Sequence, residues 1–137
     1  MSEGKIGKLV EYLFYKNDKR TIPIKKLLKD KLKIHKLVKL KTFQFKGTRV
    51  RGKIIMDYVG YGKDGTLYLI DIKAKPKIHD EDKAKLKKDS FIVETITGRK
   101  VIPIFLVVTN VRTSDEVKNK KELHGFIKVI GLPKIDF

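Results

Sequence analysis

The spacing of apolar residues predicts two helices at the start of the chain. The first is amphipathic, because its apolar residues recur three and four positions apart, at Ile6, Leu9, Val10, Leu13 and Phe14. We expect it to end at the turn pair Asn17-Asp18. A second helix is predicted from Pro23 to about Lys33. Proline fits the first turn, since its missing N–H would be unpaired there anyway.

The next segment alternates between apolar and polar residues, which is typical of strands. The alternation predicts strands over 38–45, 54–61 and 66–74. Gly62-Lys63-Asp64-Gly65 joins the last two and carries a hairpin signal. We expect a helix to begin near Asp80, where acids precede lysines in the order that suits the helix dipole.

The remaining pattern predicts two strands and a short helix. An apolar run over 101–109 predicts a strand buried on both faces. A helix over 114–124 and a strand over 126–130 follow. The resulting order, α-α-β-β-β-α-β-α-β, predicts an α/β (α+β) fold in which a mixed sheet is flanked by helices on both sides. We expect one domain over 1–137.

The charge of the chain indicates a polyanionic partner. There are 33 basic and 16 acidic residues, for a net charge of +17. The 29 residues from Lys25 to Lys53 hold twelve lysines and arginines and one acid, Asp30. Such an excess favours polyanions, and nucleic acid, most of all DNA, is the expected partner. Two alternatives are a solvated lysine-rich surface of the kind common in thermophiles and an anionic membrane surface.

The residue types restrict the metal chemistry and the location. The chain has no cysteine, which excludes disulfides, iron–sulfur clusters and thiolate zinc sites. A metal would need carboxylate, imidazole, carbonyl or water ligands, and this donor set favours Mg²⁺ or Mn²⁺. No apolar run approaches the ~18 residues that span a bilayer, and no signal peptide is evident. We therefore expect a soluble, cytoplasmic protein.

Two aspartates and a lysine interrupt the strongest strand patterns. Asp57 lies in the second predicted strand, and Asp71 and Lys73 lie in the third. A hairpin turning around Lys63 would put Asp57 opposite Leu69 and diagonal to Asp71, on one face of the sheet. Two carboxylates at that spacing can hold one divalent cation, which offsets their desolvation and mutual repulsion.

Further residues extend this candidate site. The backbone carbonyl of Ile72 can supply another ligand, and four basic residues are predicted phosphate contacts: Arg49, Arg51, Lys53 and Lys75. The alternative to a metal site is a solvent-facing Asp57, with Asp71 in a surface ion pair with Lys73 or Lys53.

Asp57, thirteen further residues and then Asp71-Ile72-Lys73 resemble the D-x(n)-[D/E]-x-K signature of the PD-(D/E)XK, or restriction-endonuclease-like, nuclease superfamily. The layout of the chain is similar to archaeal Holliday junction resolvases within it. The resemblance implies metal ligation by both aspartates and a catalytic role for Lys73. Many members also carry a glutamate on the first helix, which implies a role for Glu11. The chain departs from the signature at Met56, where the superfamily name has proline.

Taken with this resemblance, the sequence predicts a Mg²⁺- or Mn²⁺-dependent DNA endonuclease that hydrolyses phosphodiester bonds. The alternatives are a non-catalytic nucleic-acid-binding protein of the same fold and an RNA-binding assembly protein. Members of the superfamily often work as dimers, so the resemblance is compatible with a homodimer.

Overall fold

The computed structural model describes residues 9, 12–46, 51–73, 78–108, 122–123 and 127–132. Residues 12–15 are helical, and a 3₁₀ turn over Lys19–Thr21 follows. The longer helices are α1, Ile22–Leu32, and α2, Asp80–Thr97. The strands are β1, Ile34–Lys46; β2, Arg51–Gly62; β3, Leu67–Lys73; β4, Val101–Val108; β5, Glu122–Leu123; and β6, Ile127–Leu132.

Within the described residues, six strands form one mixed sheet in the order β1-β2-β3-β4-β6-β5. The first three strands are antiparallel neighbours, and β3, β4 and β6 run parallel. Because parallel neighbours need a crossover, α2 connects β3 to β4 across one face of the sheet. The α+β class predicted from the sequence is confirmed.

Each face of the sheet is covered by helical residues. The α1-side cluster joins α1 and the N-terminal helical segment to the sheet, through Leu13, Phe14, Ile24, Leu28, Leu32, Ile34, Tyr58, Ile70, Ile72, Ile104 and Leu106. The α2-side cluster joins α2 to the opposite face, through Phe43, Ile54, Met56, Val59, Leu67, Leu69, Leu86, Val93 and Phe105. The sheet is therefore the middle of three layers, as predicted.

Several predicted boundaries are wrong. The second predicted strand begins at Arg51 and not at 54. The first strand begins at Ile34 and not at 38, because its backbone already pairs with the far end of β2 at Gly62. The helix predicted over 114–124 does not reach its last residues, since Glu122 and Leu123 pair with β6. This pairing satisfies backbone groups that a local helical pattern cannot anticipate. The rest of that prediction lies outside the described residues.

Several other predictions are tested only in part. Residues 12–15 agree with the first predicted helix, and the remainder of it lies outside the described residues. None of the described helices combines the length and apolar character that crossing a bilayer requires. The single domain over 1–137 and the cytoplasmic location stay predictions.

Lys33 ends α1 in a backbone conformation that suits glycine. Its φ of 55° and ψ of 38° are left-handed, and its N–H donates to the carbonyl of Lys29. A side chain in this conformation costs about 1–2 kcal/mol, because its Cβ crowds the following carbonyl oxygen. Glycine avoids that contact, which is why it is common at this position.

We predict that Lys33→Gly raises the free energy of unfolding by about 0.5–1 kcal/mol, after the greater entropy of glycine in the unfolded chain is subtracted. Urea unfolding monitored by circular dichroism measures the change. The same substitution at exposed Lys26, inside α1, is the control and lowers stability by about 1 kcal/mol. Equal losses in both variants would contradict the assignment of strain at Lys33.

Candidate active site

The candidate site lies where β2 and β3 separate. The last backbone pair between these strands is Tyr58 with Ile70. Beyond it, β2 continues to pair with β1, while β3 continues to pair with β4 as far as Lys73. Asp57 and Asp71 occupy the first positions after the last pair, one on each strand. The two aspartates therefore face each other across an opening in the sheet.

Asp57 uses its side chain to complete the hydrogen bonding of β3. Its Oδ2 accepts a hydrogen bond of 2.9 Å from the backbone N–H of Ile72. That amide no longer has a ladder partner on β2, and an unpaired buried amide is costly. An isoleucine or valine at position 57 would fit the strand pattern but would leave the Ile72 amide without this acceptor.

The predicted register of this hairpin is wrong by two residues. Leu69 pairs with Val59 and not with Asp57. The turn is centred on Asp64, since the N–H of Gly62 donates to the carbonyl of Thr66 at 2.9 Å. Asp57 is thus level with Asp71 along the strands, whereas the sequence predicted that the two residues were diagonal neighbours.

The alternation along β2 also breaks at Asp57. Met56 and Val59 both belong to the α2-side cluster, although a regular strand would put them on opposite faces. On β1 the residue across from Asp57 is Leu40, whose φ of 49° is left-handed. The regular alternation predicted for this strand is therefore wrong at Asp57. Asp57 reaches Asp71 through the opening between the strands.

Asp71 lies in a partly buried and negatively charged environment. Its side chain is 28% exposed, and Lys73 Nζ lies 3.6 Å from its Oδ2. Burial raises the pKa of the Asp71 carboxyl to about 7, against the opposing charge of Lys73. Asp57 raises it further, through its charge and through a hydrogen bond to the carboxyl, and so does the charge of Asp82. The site thus has more negative charge than Lys73 neutralises.

Lys73 is held between two carboxylates, one of which the sequence prediction missed. Its Nζ lies 3.2 Å from Oδ1 of Asp82, in the first turn of α2. The other oxygen of Asp82 accepts from the N–H of His79, so its side chain also caps the helix. Burial acts to lower the pKa of Lys73, but Asp71 and Asp82 outweigh it and raise that pKa.

The sequence carried only part of the signal for Asp82, its place in the first turn of α2. The helix dipole alone explains why acids occur in the first turn of α2, and it assigns them no further role. A helix that follows β3 and packs on the face carrying Leu69 must begin near the end of β3. Its first turn therefore starts close to Lys73.

The donors at the opening fit a hard divalent cation. Asp57 and Asp71 supply two carboxylates that repel each other, and the carbonyl of Ile72 lies on the same strand as Asp71. Mg²⁺ is typically bound by one or two carboxylates and keeps several waters. No cluster of three or more metal-binding side chains was found in the described part of the chain. The protein would thus contribute a partial ligand set that leaves room for a phosphate.

Two of the four predicted phosphate contacts lie on the two-stranded ribbon that β1 and β2 form beside the site. Arg51 and Lys53 are exposed on β2, six and four residues before Asp57. Glu11, Arg49 and Lys75 lie outside the described residues. The distance along β2 from Arg51 to Asp57 is about 20 Å, at ~3.3 Å per residue.

One face of this ribbon is made of exposed side chains, and we call it the basic ribbon face. Its members share the side of the sheet opposite the α2-side cluster, and they are Thr42, Gln44, Lys46, Arg51, Lys53 and Ile55. The face carries three cations and no acid. On the other side, Phe45 lies across Gly52, where any side chain would collide with its ring. Gly52 therefore lets the ribbon close tightly between the two basic residues.

The chain matches no protein-family model and no curated protein sequence. Solved structures show a weak likeness. A repair endonuclease from Pyrococcus abyssi has a TM-score of 0.44 and 16% identity, over 82% of this chain and 46% of that chain. EndoMS in complex with double-stranded DNA has a TM-score of 0.45 and 15% identity, over 83% of this chain and 44% of that one. EndoMS in its apo form has a TM-score of 0.40 and 16% identity, over 82% and 46%.

This chain thus spans less than half the length of these solved chains. All three TM-scores lie below 0.5.

The raised pKa of Asp71 predicts a specific pH dependence of stability without divalent metal. In the unfolded chain the carboxyl loses its proton near pH 3.8, whereas the folded protein keeps it to about pH 7. The folded state binds more protons in between, so the free energy of unfolding falls as pH rises from about 4 to 7 and then levels off. Urea unfolding at a series of pH values measures this.

Asp71→Asn should flatten that decline and be more stable than the wild type at pH 8. Adding Mg²⁺ at pH 8 should stabilise the wild type by mass action and have little effect on Asp71→Asn. Identical pH profiles for the two proteins would contradict the assignment.

Proposed function

We propose that this chain is a metal-dependent nuclease of the restriction-endonuclease-like fold that hydrolyses phosphodiester bonds in DNA. One observation carries the proposal. Two carboxylates from neighbouring strands meet at the opening of the sheet, within reach of a lysine on the second strand. This pairing of like charges is costly for folding alone, and it is accounted for by a cation bound in function.

Each residue has a role in the proposed reaction. Asp57 and Asp71 would hold Mg²⁺ or Mn²⁺, with the Ile72 carbonyl as a further donor. When bound, the cation would supply Lewis acidity at the phosphate and lower the pKa of a water. Hydrolysis forms a bond from water oxygen to phosphorus and breaks one ester P–O bond, and the leaving oxygen takes up a proton.

Lys73 would act on the charge that develops during this step. Its ammonium lies beside Asp71 and is raised in pKa, so it stays a cation at neutral pH. A fixed cation near the phosphate stabilises the negative charge of the transition state. Asp82 would position Lys73, because its Oδ1 accepts a hydrogen bond from the ammonium.

The basic ribbon face would bind the DNA backbone next to the site. Arg51 and Lys53 lie on the strand that carries Asp57, so a strand of DNA along β2 would reach the carboxylates. A two-stranded ribbon also fits the major groove of a duplex. Phosphate contacts of this kind position the substrate and make its binding salt-dependent.

A non-catalytic DNA-binding protein is the second candidate, and one observation favours it. Lys73 Nζ lies closer to Asp82, at 3.2 Å, than to Asp71, at 3.6 Å. A lysine neutralised by two acids is what a former active site would retain as a structural ion pair. The expected homodimer stays a prediction, which light scattering on the purified chain would test.

Asp57→Asn, Asp71→Asn and Lys73→Gln should each reduce cleavage of DNA in Mg²⁺ or Mn²⁺ by at least about 100-fold, the scale of losing a group that stabilises transition-state charge. Gel assays on supercoiled, linear and branched DNA measure the rate. Asp57→Asn retains a side-chain oxygen that can accept from Ile72 N–H, so its stability should stay near that of the wild type.

Lys63→Gln is the control for these variants, because Lys63 is exposed at the opposite end of the same hairpin. It should cut DNA at the wild-type rate. If the wild type binds DNA but cuts none of these substrates in either metal, the nuclease assignment fails and the non-catalytic candidate stands.

Replacing Arg51 and Lys53 with glutamine should weaken DNA binding and lower its salt dependence. The slope of log K against log [salt] should become less steep by about 0.9 for each phosphate that the variant no longer neutralises. Fluorescence anisotropy with labelled duplex, from low to moderate salt, measures both quantities.

Lys85→Gln with Lys88→Gln is the charge-matched control, since both lysines are exposed on α2 at the other face of the sheet. This pair should change the slope little. Equal effects of the two pairs would show that net charge, and not the basic ribbon face, governs binding.

A further inference from the structure

A pocket of about 300 Å³ opens directly beside Asp57. We call it the aromatic pocket, because its lining is dominated by aromatic and apolar side chains: Tyr12, Phe14, Tyr15, Leu40 and Tyr58. Asp57 is the acidic residue in its wall. The pocket therefore joins the opening between β2 and β3 that holds the proposed metal ligands.

The floor of the aromatic pocket is fixed by packing. Phe14 and Tyr58 are buried and meet edge to face, with ring centroids 5.9 Å apart at 72°. The Tyr58 hydroxyl donates to the carbonyl of Phe14 at 2.7 Å, so its polar group is already satisfied. This floor presents two packed aromatic rings, and no polar atom of Tyr58 is left without a partner.

The mouth of the pocket, in contrast, exposes side chains that usually pack inside. Tyr12 is 49% exposed, Tyr15 51% and Leu40 46%. Leu40 also has the left-handed φ of 49°, which leucine rarely adopts and which tends to occur at functional sites. Exposed apolar side chains around a concave site indicate a ligand-binding surface.

Two lysines lie beside the tyrosines of the mouth. Lys39 Nζ lies 5.3 Å from the centroid of the Tyr15 ring and donates to the Tyr15 carbonyl at 2.7 Å. Lys16 Nζ lies 4.9 Å from the centroid of the Tyr12 ring. A flat aromatic site edged with ammonium groups is complementary to a nucleotide, whose base is flat and whose phosphates are anionic.

We propose that the aromatic pocket receives an unpaired base of the nucleic acid strand, next to the phosphate at Asp57. This inference rests on the proposed function and specifies its substrate class. A base within a duplex cannot reach such a pocket without leaving its stack, which costs free energy. The substrate would therefore carry an unpaired nucleotide beside the cleaved bond, as in a flap, a bulge or a single strand.

Binding in EDTA tests the pocket without any cleavage. Three probes carry 2-aminopurine, whose fluorescence falls when it stacks: a single strand, a duplex with one bulged 2-aminopurine, and a fully paired duplex. The wild type should bind the first two more tightly than the third and quench their fluorescence. Bulged and single-stranded probes distinguish a base displaced from a duplex from one in a free strand.

Tyr15→Ala should weaken binding of the unpaired probes roughly 5- to 100-fold, the scale of losing one base–aromatic stack, with little effect on the paired duplex. Tyr15→Phe keeps the ring and should bind and quench as the wild type does. Phe91→Ala is the control, because Phe91 is 70% exposed on α2, across the sheet, and should change nothing.

The inference is overturned if Tyr15→Ala binds and quenches the unpaired probes like the wild type. It is also overturned if Phe91→Ala weakens binding of these probes as much as Tyr15→Ala does. A Tyr12→Ala/Tyr15→Ala double variant with unchanged quenching would overturn it as well. Failure of the proposed nuclease function can be distinguished from failure of this inference. If the wild type cuts no DNA but binds unpaired bases, and Tyr15→Ala loses that binding, the pocket proposal stands and the nuclease proposal fails.

Discussion

The hydrogen bond from the Ile72 amide to the Asp57 carboxylate is the constraint on which the rest of the site depends. It lets β2 leave β3 without an unpaired amide at Ile72, which is buried. The departure creates the opening, and the opening brings two acids from different strands together. The Asp57 carboxylate thus accepts a backbone hydrogen bond that the sheet needs, and it is also one of the two proposed cation ligands.

The consequences of this bond spread to both sides of the sheet. On the α2 side, Asp71 and Lys73 follow the pattern of β3 and meet the first turn of α2. On the α1 side, the break in alternation turns Tyr58 toward Phe14 and opens the aromatic pocket. The freed portion of β2 continues with β1 as a basic ribbon. The proposed chemistry, base binding and phosphate binding therefore share a single distortion of the sheet.

Much of the fold could be predicted from the sequence, because local spacing determines it. The end of α1 near Lys33, the hairpin and the start of α2 at Asp80 follow from caps, turns and periodicity. The register of β2 against β3 could not be predicted. The turn is centred on Asp64 and not on Lys63, and this change of one residue shifts every cross-strand pair by two residues. Asp82 was missed for a related reason, since its contact with Lys73 depends on how α2 packs, and the spacing of acids in a first turn does not contain that.

Both edges of the sheet are poor templates for another chain. β1 is a thirteen-residue edge strand, and exposed strands of this length tend to recruit further strands and aggregate. Leu40 interrupts its backbone geometry, and the exposed lysines Lys36, Lys39 and Lys46 repel a second copy. At the other edge of the sheet, within the described residues, β5 has two residues. The distortion opposite Asp57 thereby also makes this edge a poorer template for a further strand.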